Sequence, residues 1–141
     1  MPGEESLRMK QYYAHTRNSF WGIMGLIFGF SPDLPYFDRL AALRSRGVAL
    51  WDVLAVCSRK GSLDSAITDP VPNDITSFLK SHKDIRAIFC NGTASYELLR
   101  KNFPAVMKEY QVVRLPSSSP AHASLDLNAK FNAYKSILRF L

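Results

Sequence analysis

Two tyrosines, a histidine, an arginine, an asparagine, a phenylalanine and a tryptophan stand within ten consecutive positions, Tyr12 to Trp21. A helix facing a core would repeat its apolar residues every three or four positions, and a strand would alternate them. Here aromatic and polar groups interleave on all sides. Tyr13, Phe20 and Trp21 offer flat apolar faces, and His15, Arg17 and Asn18 offer donors and acceptors. Such a segment suits the wall of a pocket that stacks on a planar ring and hydrogen-bonds its edge. The competing structural roles are a helix cap at Asn18 and core anchoring by Phe20 and Trp21.

With Pro2-Gly3-Glu4-Glu5-Ser6-Leu7 just upstream, this decade resembles the first motif of the uracil-DNA glycosylase superfamily, most closely its hypoxanthine-DNA glycosylase branch. Thr16 stands where that branch has proline. Phe89-Cys90-Asn91-Gly92-Thr93-Ala94 resembles the superfamily's strand ending in Asn-Gly. Leu115-Pro116-Ser117-Ser118-Ser119-Pro120-Ala121 resembles its DNA-intercalating loop. The resemblance implies a three-layer α/β/α fold around a central, mostly parallel sheet, in one domain spanning 1–141. In the superfamily a first strand ending in Gly-Ser precedes the Pro-Gly motif. Since the sequence opens on Met1-Pro2, that strand is expected to be missing, through truncation or a misassigned start rather than a reduced sheet.

The same resemblance implies roles. A base hidden in the stack must be flipped into a pocket before its glycosidic bond is cut. Asn18 aligns with the asparagine that positions the attacking water. An amide has no useful basicity, so it would orient water through its carbonyl. His15 is expected to hydrogen-bond the departing base or a phosphate. Tyr13 and Phe20 or Trp21 are the stacking candidates, on a scale of about 1 to 3 kcal/mol per base, and Asn91 is the reader of the base edge. Ser117, Ser118, Ser119 and Pro120 would grip phosphates and enter the groove, with His122 and Arg17 as further DNA contacts. Pro2, Gly3 and Ser6 would allow close backbone approach, and Lys10, Arg59 and Lys60 would add charge. No lysine lies between Tyr12 and Trp21 to form a Schiff base, so a monofunctional glycosylase is expected.

Composition agrees with a nucleic-acid partner. Eighteen Lys and Arg against twelve Asp and Glu give a net charge of +6 and a pI near 9.5, a balance that favours a polyanion. Cys57 and Cys90 are the two cysteines. They are too few for an iron–sulfur cluster, which takes four ligands, and too far apart in sequence for a Cys-x-x-Cys metal site. No metal and no cofactor is expected. The longest apolar run, Phe20 to Phe30, falls short of the roughly 20 residues that span a bilayer. No basic segment followed by an apolar stretch marks a secretory signal. A cytoplasmic monomer acting on double-stranded DNA with a deaminated base is the expectation. Hypoxanthine stands ahead of uracil. The alternatives are a mismatch-specific uracil or thymine glycosylase and a catalytically inactive DNA-binding domain. A small-nucleotide-binding domain lacks a glycine-rich phosphate loop.

The elements that must position these groups alternate between helix and strand, which by itself argues for an α/β sheet covered by helices. Helices are predicted over Phe20–Phe30, Tyr36–Arg46, Asn73 or Asp74 to His82, Thr93–Asn102 and Leu125–Phe140. Strands are predicted over Val48–Trp51 leading into Asp52–Cys57, then Ile85–Cys90 and Gln111–Leu115. Ser58 to Asn73 reads as a long loop.

Overall fold

A computed structural model describes residues 4–58, 68–122 and 126–141 of the chain, without the side chains of 56–58, 68–70 and 122. Its residues divide into two compact units, Asp52–Ser117 and Pro2–Trp51 with Ser118–Leu141.

The first unit holds the strands. β1 (Leu54–Ser58) pairs antiparallel with β2 (Thr68–Pro72), and β3 (Ala87–Asn91) pairs parallel with β4 (Gln111–Leu115). Helices α4 (Ile75–Ser81), α5 (Thr93–Asn102) and α6 (Pro104–Glu109) complete it. A parallel pair needs a crossover, and α5 with α6 supplies it. Ile75, Leu79, Cys90, Leu99 and Val106 form a buried cluster, against which Val53, Ile88, Tyr96, Phe103 and Val112 pack. Asp74 caps α4 by accepting the Ser77 N–H at 3.1 Å.

The second unit is helical. α1 (Glu4–Met9), α2 (Phe20–Phe28) and α3 (Tyr36–Ser45) are joined by α7 (Leu127–Tyr134), which tightens into a 3-10 stretch, Lys135–Phe140. α2 packs on α7. Phe20, Trp21, Ile23, Met24, Phe28, Leu43, Tyr134 and Ile137 are buried. α7 begins where Asp126 accepts the Ala129 N–H at 2.7 Å. Among the described residues no helix is long and apolar enough to cross a membrane.

The α/β character is as expected, but its pairing differs from one central, mostly parallel sheet: the described strands form two separate two-stranded ladders, one of them antiparallel. The antiparallel ladder is itself irregular at β2. Pro70 and Pro72 bring no N–H to a ladder, and the β1–β2 register shifts twice. β2 also occupies part of the segment read as a loop from Ser58 to Asn73, of which 59–67 lie outside the described residues.

Other boundaries move for local reasons. α2 stops at Phe28 because Gly29 adopts φ 77° and returns its N–H to Gly25. Val48–Trp51 is not a strand: the Val48 N–H turns back to the Leu43 carbonyl at 3.0 Å, closing α3. α5 keeps its expected bounds, Thr93–Asn102, with Gly92 at its cap. α1 and α6 are too short for periodicity to reveal. Of the β3 residues, Cys90 alone is buried.

Burial pushes the Cys90 thiol up from 9.0 to about 11, partly offset by a hydrogen bond with Ser95. A thiol that ionises later in the fold than in the open chain stabilises fully below about pH 9, and that stability is lost as pH rises to about 11. Urea unfolding at pH 8 and pH 10.5 should therefore show stability falling by about 2 kcal/mol more in the wild type than in Cys90→Ala. Equal losses in both would assign alkaline sensitivity to other groups.

Candidate active site

The decade from Tyr12 to Trp21 is a loop leading into α2, held in place by hydrogen bonds to its backbone. Ser6, buried on α1, accepts the Ala14 N–H on its hydroxyl at 3.0 Å. The Tyr36 hydroxyl accepts the Tyr12 N–H at 3.1 Å, and the Trp21 indole N–H donates to the Tyr12 carbonyl at 2.9 Å. The loop's far end joins Ser118, whose carbonyl accepts from the Ser19 N–H at 3.0 Å and the Ser19 hydroxyl at 3.2 Å.

Held this way, Tyr13 sits at φ 56°, a left-handed conformation that an aromatic residue adopts at a cost of order 1–3 kcal/mol. Its ring lies against Phe20, centroids 3.9 Å apart and planes tilted by 30°. Phe20 is only 3% exposed while Tyr13 is half-buried. Tyr13 and Phe20 are thus one stack, with Phe20 behind and Tyr13 in front. Trp21 is no platform: it is buried, edge-on to Phe20 at 5.0 Å and to Tyr36 at 6.0 Å.

Asn18 is half-buried, and its side-chain carbonyl accepts the Phe20 N–H at 2.9 Å. It therefore makes an Asx turn just ahead of α2, whose N-cap is Ser19, next in sequence to the Phe20 ring of the stack. A carbonyl has two lone pairs, so one remains for a water. The position at the start of α2 also favours developing negative charge. His15 is exposed and its Nδ1 accepts the Arg17 N–H at 3.1 Å, which leaves Nε2 as its outward group. Arg17 is exposed.

Within the same unit, Ser118 is 1% exposed and turned inward, hydrogen-bonded to the buried Tyr134 hydroxyl. Burial, and secondarily the neighbouring Tyr13, pushes the Tyr134 phenol well above its ordinary range, so it stays neutral beside Ser118. Ser119 and Pro120 are half-buried, and the Ser119 hydroxyl accepts the Ala121 N–H at 3.2 Å, opening the 3-10 turn Pro120–His122. The His122 side chain, Pro2, Gly3, Arg59 and Lys60 lie outside the described residues, as does the side chain of Cys57.

Asn91 and Ser117 belong to the first unit. Asn91 ends β3 opposite Leu115 on β4, at the carboxyl end of the parallel ladder, where open α/β sheets bind ligands. Gly92 follows at φ 96° and donates its N–H to the Leu115 carbonyl at 2.9 Å. A Cβ there would come within 3.1 Å of the Ser117 Cβ. The structure therefore brings Asn91, Gly92 and Ser117 together, and separately Tyr13, Asn18, Phe20 and Ser118. Tyr36, Ser19 and Tyr134 support the second group and were not singled out in sequence, since each lies in an ordinary helical or turn context.

The family model of the Uracil DNA glycosylase superfamily matches residues 1–141, and the chain belongs to that superfamily. It is 34% identical over 131 residues to a Hypoxanthine DNA glycosylase of Methanosarcina acetivorans, covering 91% of this chain and 80% of the relative. A Hypoxanthine DNA glycosylase of Methanosarcina barkeri is 34% identical over 98 residues, covering 69% and 62%. The fold is similar to the solution NMR structure of a candidate uracil DNA glycosylase from Methanosarcina acetivorans, with a TM-score of 0.82, 31% identity, and 98% and 84% of the two chains covered.

Gly92→Ala should be destabilising by about 1 kcal/mol or more, because it combines a left-handed backbone with a close approach to Ser117. Thermal unfolding checks this. An unchanged melting temperature would show that the Asn91–Gly92 turn relaxes freely.

Proposed function

We propose that this chain is a monofunctional DNA glycosylase that removes a deaminated base, with hypoxanthine as its principal substrate. The observation that carries the reading is the Tyr13–Phe20 stack with Asn18 at the adjoining helix start. The identity with two hypoxanthine DNA glycosylases supports the choice of base. Both units lie within the family match, which supports treating them as one catalytic domain.

Stacking of the flipped base is assigned to Tyr13, and in the other unit the Asn91 amide offers the donor and acceptor that a paired carbonyl and N–H require. Asn18 orients a water through its remaining lone pair. As the N-glycosyl bond breaks, its electron pair goes to the base, leaving an oxocarbenium-like sugar that the water attacks at C1′. The water loses a proton and the base gains one, giving free base and an abasic site. Much of the rate comes from electrostatic stabilisation of the separating charges, because the amide cannot abstract a proton. His15 faces the departing base or a phosphate. Ser117, Ser119, Pro120, His122 and Arg17 contact the duplex, and Ser118 holds their loop to Ser19. The net charge of +6 favours such a partner. The protein works as a cytoplasmic monomer.

A second base, uracil, is favoured by the Leu115-Pro116-Ser117-Ser118-Ser119 sequence and by the likeness to a candidate uracil DNA glycosylase. Single-turnover incubation with duplexes carrying one deoxyinosine or one deoxyuridine, followed by alkali, separates the two. Cleavage at deoxyinosine alone is expected. Cleavage at deoxyuridine alone would move the protein to the uracil or mismatch branch, and no cleavage at either, with salt-dependent binding retained, would leave a DNA-binding domain. Asn18→Ser, which keeps a side-chain oxygen for the Phe20 N–H, should lower the rate by about 10²-fold with little change in duplex affinity or melting temperature. Full activity in that variant would remove Asn18 from the mechanism.

A further inference from the structure

We infer that Tyr36 is a positioning residue for base recognition, acting through the backbone of Tyr12 to hold the Tyr13 ring. This rests on the glycosylase reading above. The Tyr12 carbonyl belongs to the peptide plane that carries the Tyr13 N–H, and the Tyr12 N–H to the plane before it, so holding both limits how far the backbone can turn the Tyr13 ring. Trp21 donates to the carbonyl at 2.9 Å, and Tyr36 accepts the N–H of the same residue at 3.1 Å. Both polar backbone groups of Tyr12 are thereby clamped, one residue before the left-handed Tyr13.

The clamp is itself braced. Tyr36 and Trp21 meet edge-on at 6.0 Å with planes 87° apart. The Arg39 guanidinium lies 4.8 Å from the Trp21 ring centre and 5.5 Å from that of Tyr36. Its Nε is buried without a hydrogen-bond partner among the described residues, so cation–π attraction to the two rings is what it gains there. Arg39 follows Tyr36 by three positions on α3 and shares its face.

Packing alone does not call for the Tyr36 hydroxyl. A phenylalanine would fill the same volume against Trp21 and Arg39, and the hydroxyl acts on the Tyr12 N–H. Tyr36→Phe therefore separates positioning from packing. NMR amide exchange at Tyr12 should quicken by about tenfold in this variant as its N–H loses its acceptor. Single-turnover cleavage of the deoxyinosine duplex should slow by about tenfold, with duplex affinity unchanged.

The decisive arm is a double-mutant cycle with Tyr13→Ala. If Tyr36 acts through Tyr13, adding Tyr36→Phe to Tyr13→Ala should slow cleavage by less than about twofold. An equal slowing in both backgrounds, or unchanged exchange at Tyr12, would overturn the inference while leaving the glycosylase reading intact. Absence of cleavage by the unmodified protein would bring down that reading and the inference with it.

Discussion

The conformation of one aromatic residue governs the arrangement around it. Tyr13 lies in a region of backbone space that side chains with a Cβ avoid, at φ 56°. Such strain persists only where the surroundings over-determine it. Here they do, through hydrogen bonds from three helices: Ser6 of α1 to Ala14, Trp21 of α2 and Tyr36 of α3 to Tyr12. Each such bond contributes about 1 kcal/mol net, and the Tyr13–Phe20 contact adds about as much again. The sum is comparable to the cost of the strained residue, so the ring is held where free backbone preference would not leave it.

The same economy of parts appears at Asn18. Its side-chain oxygen accepts the Phe20 N–H at the start of α2, and Phe20 is the ring behind Tyr13. The Asn18 amide, to which the proposed function gives the water, is therefore mechanically coupled to the Tyr13–Phe20 stack through one peptide. Ser19 continues the connection, since its N–H and hydroxyl both bind the Ser118 carbonyl. Ser118 in turn meets Tyr134, which lies near Tyr13. Burial, first of all, raises the Tyr134 phenol above its ordinary range, so it stays a neutral hydrogen-bond partner for Ser118.

How much of this was legible in the sequence depended on the range over which each signal acts. Asp74 and Gln111–Leu115 were readable because caps and strands announce themselves within a few residues. The interleaved decade Tyr12–Trp21 was recognisable as something other than packing, and the family resemblance named its parts. Val48–Trp51 misled because an apolar run says nothing of Val48 turning back to Leu43. β2 hid behind Pro70 and Pro72, residues that argue against a strand unless it is irregular. Ser118 looked like its serine neighbours, and only tertiary structure shows it buried at 1%. Tyr36 was invisible for the same reason: its function depends on a residue 24 positions away.

Under the proposed function, selection of the base starts from what an amide can distinguish. Hypoxanthine and uracil both present a carbonyl beside an N–H, and the Asn91 amide can satisfy that pair in either base. Edge reading by such a group therefore excludes bases with a different pattern only if the amide is held in one orientation, and it does not rank hypoxanthine against uracil. That ranking must come from area and shape. A purine covers more of an aromatic face than a pyrimidine, and stacking scales with the overlap that a rigid platform offers. A Tyr13 ring free to swing would follow either base and favour neither strongly. One clamped through Tyr12 and backed by Phe20 presents a fixed plane, on which the larger ring gains and the smaller one leaves surface uncovered. Preference for hypoxanthine is in this view a property of backbone hydrogen bonds that never touch the base.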